Sequence, residues 1–284
     1  TAEALTRLGR HFEAHQILAA VLAGLRRARG DDHPGTLSCR HDLAVGLGLL
    51  GRLEDAYRTA REVAGARAAV LGDRHPDTWC TRGEVAALAG RLGRWTEALG
   101  EYRRIADARA AACGADHPDT LAARYEVGVT LGRLGRAAEA LDVHRELVAA
   151  HTRTHGPDAA VTLRVRHGLG VGLGRLGRWE EALAEAGAVA ARRAATLGPG
   201  HPDTLVSLRE RAVALGWLDR WAEAQSLYRE VADARERALG AAHPDTLASR
   251  ADEAQCLERL GRTAEAAALY RRAAALRRDR ADRR

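Results

Sequence analysis

A threonine returns every 42 residues through this chain, at Thr36, Thr78, Thr120, Thr162, Thr204 and Thr246. An alanine keeps the same period 20 residues behind it, at Ala56, Ala98, Ala140, Ala182, Ala224 and Ala266, with an earlier copy at Ala14. No insertion or deletion breaks the register. A fixed period between about 20 and 50 residues means that one supersecondary unit is being stacked. Each unit then packs mainly on its neighbours, and the core grows by repetition. The 284 residues therefore read as a single solenoid over 1–284, not as two globular domains. A partial repeat occupies 1–35, and full repeats start near 36, 78, 120, 162, 204 and 246.

Each unit reads as two helices. In the first helix of the unit at Thr120, Leu121, Val127, Val129, Leu131 and Leu134 are spaced for a helix packed on more than one side, with Gly128 and Gly132 between them. Asp77, Asp119, Asp203 and Asp245 precede their Thr, and a carboxylate there can cap the first turn. The Pro before each Asp keeps the preceding His out of the α region and closes off the previous helix, which gives the repeated His a turn role. Gly51, Gly93, Gly135, Gly177 and Gly261 end the first helix as αL caps, with Asp219 in that place once. The second helix opens on an acid (Glu13, Asp55, Glu97, Glu139, Glu181, Glu223, Glu265), which suits the positive end of a helix dipole. It runs, for example, from about Trp95 to Ala112. The unit at Thr162 has lost its His-Pro-Asp, so its first helix is expected to start a turn early, capped by Asp158.

Composition narrows the function classes. No run of about 18 apolar residues is present, so no membrane span is expected, and the first 30 residues show helical repeat where a secretory signal would show an apolar block. Cys39, Cys80, Cys113 and Cys256 fall in different repeats without CxxC spacing and read as buried thiols of a reducing compartment, with the cytoplasm as default. The net charge of +6 comes from 44 basic and 38 acidic residues, a mixed solvated surface that makes nucleic-acid binding by the basic faces the alternative reading and not the first. All the basic residues are Arg, and Lys, Asn and Met are absent, as a GC-rich genome would dictate. Arg forks match carboxylates bidentately, so a basic groove here suits acidic partners. The missing Met, and a register that places Thr1 inside a helix, lead to the expectation of a fragment of a longer protein whose open end could self-associate. The Arg-rich stretch from Arg277 to Arg284 suits a terminal cap or a linker.

The small Ala44/Ala86/Gly128/Gly170/Ala212/Ala254 series and the Gly-Arg-aromatic-x-Glu-Ala start of the second helix, with Trp95, Trp179 and Trp221, resemble tetratricopeptide repeats (TPRs) of the 42-residue, kinesin-light-chain-like type. The His-Pro-Asp-Thr-Leu junction looks like that of actinobacterial proteins in which such repeats follow a nucleotide-binding switch domain. Arg211 and Glu253 depart from the pattern in a usually apolar first-helix slot. The resemblance implies an all-α, right-handed TPR superhelical solenoid of antiparallel helix pairs. It also implies a non-enzymatic protein-binding scaffold with first-helix residues on the concave face, and suggests the sensor arm of a signal-transduction ATPase.

Residues 2, 5, 9, 12 and 13 after each Thr share one helical stripe. Nine residues on lies an apolar floor that includes Val129 and Val171; thirteen on, an Arg row of Arg91, Arg133, Arg175 and Arg259. Five on, the residue varies between repeats, as Tyr125, His167 and Arg209 illustrate. Residues constant in every repeat serve the stack, while variable ones are free to read a partner. The Arg row reads either as a solvated face or as a clamp for the carboxylates of an extended segment. On the second reading the partner-binding residues are Arg91, Tyr125, Val129, Arg133, His167, Val171, Arg175 and Arg209. The partner would be a protein or acidic peptide, in trans or from the same polypeptide. Twelve residues on, Gly48, Gly90, Gly132, Gly174 and Gly216 point to close backbone approach or room for a ligand. The Arg four on and the acid six on are expected to form inter-helix salt bridges. GxGxxG matches at Gly46 and Gly172 follow no strand. The His144, His151 and His155 face lacks a fourth metal ligand, and the His11/His15 pair lacks a third. No nucleophile–base pair or Walker loop appears. No catalytic residue, metal or cofactor is assigned.

Overall fold

The structure is a computed structural model that describes residues 2–281, and every regular element among them is a helix. In chain order these are α1 (Ala2–Arg7), α2 (His11–Arg29), α3 (Pro34–Leu49), α4 (Leu53–Leu71), α5 (Pro76–Arg91), α6 (Trp95–Cys113), α7 (Pro118–Arg133), α8 (Ala137–His155), α9 (Ala160–Arg175), α10 (Trp179–Leu197), α11 (Pro202–Trp217), α12 (Trp221–Leu239), α13 (Pro244–Arg259) and α14 (Thr263–Ala281). The chain forms two compact units, residues 1–143 and 144–284, with the boundary inside α8. In the first unit α2 to α7 pack consecutively, and in the second α9 to α14 do the same. Adjacent first helices also touch, α3 with α5 and α9 with α11. Thr1 and the terminal Asp282–Arg284 expected in the polar finish lie outside the described residues.

The repeating Thr has a physical task. It is buried, and in four of the six copies its hydroxyl donates across the turn to the carbonyl of the Gly that ends the preceding helix: Thr78 to Gly72 at 2.9 Å, Thr120 to Gly114 at 2.8 Å, Thr162 to Gly156 at 2.8 Å and Thr204 to Gly198 at 2.9 Å; the hydroxyls of Thr36 and Thr246 make no such bond among the described residues. Each bond satisfies a carbonyl that helix geometry leaves without an intrahelical partner. Those glycines take φ of 86–98°, open only to residues without a Cβ penalty.

The cap of the first helix differs from the sequence expectation. The helix begins at the Pro, and the cap is the His: Nδ1 of His75, His117, His201 and His243 accepts the N–H of Asp77, Asp119, Asp203 and Asp245 at 3.1–3.2 Å. Pro holds the His in extended backbone and itself fits the first helical position, where no N–H is needed. Asp thus stands one position inside the cap, where its charge still favours the dipole. Nor does α9 start early. It begins at Ala160, in register with Pro118 and Pro202, after Ala159, which provides no side-chain cap. Asp158 pairs instead with Arg192 of α10. The Thr162 hydroxyl and its packing fix the start of the helix without cap chemistry.

The second helix opens on a fork. Arg136 donates Nε and Nη2 to the two oxygens of Glu139, both at 2.6 Å, and Arg178–Glu181, Arg220–Glu223 and Arg262–Glu265 repeat the pair. These pairs are exposed, so each contributes at most about 1 kcal/mol. Of the cysteines, Cys39 and Cys256 are buried as expected, but Cys80 and Cys113 are exposed; all four are free thiols. Cys80 and Cys113 do not point into the helix interfaces, so no apolar packing hides them.

Candidate functional site

Three helix-interior glycines of the stripe, Gly90, Gly174 and Gly216, are explained by close approach within their own repeat, whereas Gly48 faces Leu88 and Arg91 of the next. A Cβ on Gly90 would lie 2.8 Å from the Trp95 ring, one on Gly174 2.7 Å from Trp179, and one on Gly216 3.0 Å from Trp221. The aromatic after the Gly-Arg turn folds back over the last turn of the first helix, and only Gly leaves room for it. The next repeat then stacks on that ring. Arg133 lies 5.7 Å from the centroid of Trp95, Arg259 lies 5.1 Å from that of Trp221, and Trp217 stacks on Trp179 at 4.9 Å with 4° between the planes.

In the first unit, Arg91 reaches back to donate Nη2 to the Gly48 carbonyl at 3.0 Å, covering the exposed end of α3. Arg133 is spread over Trp95. Tyr125 and Val129 are half-buried on α7. Glu84 lies near Arg91; burial raises its carboxyl above the ordinary range, and the Arg91 charge opposes that. Tyr102 is pushed up to about 12 by burial and by Glu126 and Glu84.

In the second unit, α9, α10 and α11 enclose an open cavity of about 170 Å³. Three of the sequence-selected residues line it: His167, Val171 and Arg175. Its lining also includes Gly170, Gly174, Trp179, Ala186, Glu210, Val213 and Ala214. Burial first, and then the charge of Arg193, hold the His167 imidazole below its usual range, with Asp203 acting the other way. His167 is thus a neutral donor and acceptor at pH 7. Burial raises the Glu210 carboxyl, Asp252 adds to this, and Arg209 and Arg175 oppose it. Arg175 is exposed and acts on Glu210 through its charge without a hydrogen bond among the described residues. Arg209 stands apart from the cavity walls and spends its guanidinium within the array, donating Nε to Asp252 at 3.0 Å with Nη1 3.6 Å from Glu210. Beside the cavity, Trp217 is 65% exposed although its ring is stacked on Trp179.

The expected salt bridges divide. The Arg four residues after Thr does bridge to neighbouring elements, as Arg40–Glu62 at 2.8 Å, Arg82–Asp73 at 2.6 Å and Arg166–Glu185 at 2.6 Å. The acids Glu84, Glu210 and Asp252 instead face the stripe, beside Arg91, Arg175 and Arg209. Sequence reading gave Glu210 to the inter-helix salt bridges, met Trp217 in the row of the Arg residues without giving it a site role, and passed over the Ala186/Ala214 pair. Position 24 after each Thr, compared with position 10 of the following repeat, carries that signal. Of the histidine face, His151 and His155 have ring centroids 5.3 Å apart, and a Cβ on Gly168 would meet His144 Nε2 at 2.9 Å. Among the described residues no group of three or more His, Cys, Asp or Glu could hold a metal. Among them, too, no helix is long and apolar enough to cross a membrane.

The family model of the tetratricopeptide repeat matches residues 2–69, 77–153, 125–186 and 204–279. The chain belongs to the tetratricopeptide repeat family. No curated protein matches it by sequence. Among solved structures it is similar to the nearly identical TPR-like repeats of a protein assigned as a kinesin light chain from Podospora anserina, at 26% identity over 73% of this chain and 98% of that one, TM-score 0.64. It shares its fold with the apo quorum sensor NprR of B. thuringiensis, at 13% identity over 95% and 85%, TM-score 0.59. The same holds for a Signal Transduction ATPase with Numerous Domains from Pyrococcus horikoshii that carries a TPR sensor, at 13% identity over 92% of this chain and 40% of that one, TM-score 0.71. TPR arrays of this kind indicate a protein–protein interaction scaffold.

Proposed function

We propose that this TPR array binds an extended, acidic protein segment along the stripe formed by its first helices. What supports the reading is the second unit. There Arg175, free of hydrogen bonds among the described residues, stands with neutral His167, Val171 and Val213 around an open cavity, beside a largely exposed Trp217. Arg175 supplies a fork for a carboxylate, Trp217 a rigid apolar surface, and His167 a hydrogen bond. In the first unit Tyr125, Val129 and Arg133 offer the same chemistry, with Arg91 and Arg133 already partly engaged by Gly48 and Trp95. Arg209 serves as a positioning residue through Asp252. The segment comes from a partner protein or from another part of the same polypeptide.

The test is selection from a displayed library of disordered segments of graded Asp and Glu content. Acidic segments should be enriched, and Arg175→Glu should weaken the best of them by roughly ten-fold or more, the worth of a charge-assisted hydrogen bond. Selection indifferent to acid content, or affinity unchanged in both Arg133→Glu and Arg175→Glu, would remove the reading. Tight oligonucleotide binding that falls steeply with salt would replace it with a nucleic-acid role.

A further inference from the structure

The interface between successive repeats is closed by two positions that trade volume. They are the residue 24 after one Thr, on the inner face of the second helix, and the residue 10 after the next Thr, on the following first helix. Along the chain the pairs are Ala60/Leu88, Tyr102/Thr130, His144/Gly172, Ala186/Ala214 and Tyr228/Cys256. Wherever one is small the other supplies bulk, with one exception. Ala60 and Leu88 share a core cluster, as do Tyr228 and Cys256. Ala186 and Ala214 instead line the cavity of about 170 Å³. The cavity is the place of the ring that this interface lacks.

The other interfaces also show what chemistry belongs there. Tyr102 sits beside Glu84 and Glu126, the acids six residues after its own and the next Thr. Tyr228 sits beside Glu210 and Asp252 in the same two relations. At the open interface the first of these positions is Gly168, and the second is Glu210, which lines the cavity. Burial raises the Glu210 carboxyl, and the charges of Arg209 and Arg175 oppose that.

We propose that the cavity between α9, α10 and α11 is a binding site for a small free phenol, whose ring replaces the missing tyrosine and whose hydroxyl donates to Glu210. Apolar cavities of roughly 150 Å³ take up a benzene ring, and the apolar part of the lining here includes Gly170, Val171, Gly174, Ala186, Val213 and Ala214, beside His167, Arg175, Trp179 and Glu210. The para substituent points at Ala186, where Tyr102 and Tyr228 carry their Cβ, so it can be no larger than about a methyl group. p-Cresol, the side chain of tyrosine as a free molecule, meets this requirement. A tyrosine within a peptide enters with the opposite polarity and turns its hydroxyl away from Glu210. The site shares His167, Val171, Arg175 and Val213 with the proposed segment-binding stripe, and binding of the free phenol is read separately from binding of a segment.

The experiment is an NMR titration of the intact protein with p-cresol, following the amides of Gly170, Gly174 and Val213, with toluene and N-acetyl-tyrosinamide in parallel. Saturable shifts at these amides are expected with p-cresol. Toluene should bind about ten-fold more weakly for want of the hydrogen bond, and N-acetyl-tyrosinamide should leave the amides unmoved. Both Ala214→Leu, which copies Leu88, and Ala186→Tyr, which copies Tyr228, should abolish the shifts while the rest of the spectrum is retained. If Ala186→Tyr does not fold, Ala214→Leu carries the test. Absence of saturable shifts in the wild type, or their survival in Ala214→Leu, overturns the site. Equal affinity for toluene overturns the role of Glu210.

Discussion

Two interfaces inside the second unit have the same register and opposite fillings. Between α12 and α13, Tyr228 is buried against Ala212, Leu215, Ala224 and Cys256. Between α10 and α11, the matching pair is Ala186 and Ala214, and a cavity remains. The backbone repeat is the same, so the difference lies in two side chains. In a repeat array, stability is approximately a sum of unit and neighbour terms. One interface can therefore be left underpacked for ligand binding without unfolding the rest. Variation at a packing position, and not only at an exposed one, is thus where a repeat array can acquire a site.

The comparison can be broken most directly at the filled interface. Tyr228→Ala should cost roughly 3–5 kcal/mol in urea unfolding, the range for losing a buried aromatic ring. A cost below about 1 kcal/mol would mean that the ring does not close that interface. The glycines sharpen it next. Gly100 in α6 has nothing within 4 Å of an added Cβ, so Gly100→Ala should stabilise by about 0.5–1 kcal/mol. Gly174→Ala should destabilise despite the same helical preference, because the Trp179 ring lies 2.7 Å from the new carbon and is held by Trp217. Equal melting-temperature gains in the two variants would show that the Trp179 ring moves freely.

The smallest effect is electrostatic. The Glu210 carboxyl is raised above its ordinary value of 4.5, chiefly by burial. A raised carboxyl costs stability at neutral pH, and the cost is relieved as pH falls through the folded-state value toward the unfolded one. Glu210→Gln should therefore melt higher than wild type at pH 7, and the gap should close toward pH 4. A gap that widens on acidification would reverse the sign given to Glu210.

Much of this was legible in the sequence. Thr36 to Thr246 and Ala14 to Ala266 fix the period, and the period fixes the stacking of helix pairs. The cap was misread at Asp77 and its equivalents because a His nitrogen can accept the same N–H, and Pro at the first helical position decides which residue is the cap. The early start expected for α9 treated cap chemistry as the cause of the helix start, whereas Thr162 and its packing decide it. For the site, His167, Val171 and Arg175 were reachable from the stripe. The cavity between them was not, because it depends on Ala186 and Ala214 meeting across two repeats. Each alanine alone is an ordinary helix residue.

The most direct test of an open α10–α11 interface is hydrogen exchange of wild type beside Ala214→Leu. Filling the cavity should slow exchange in α10 and α11 and leave α12 and α13 unchanged. Unchanged or faster exchange in α10 and α11 would mean that the interface is already closed in solution, and would contradict the account.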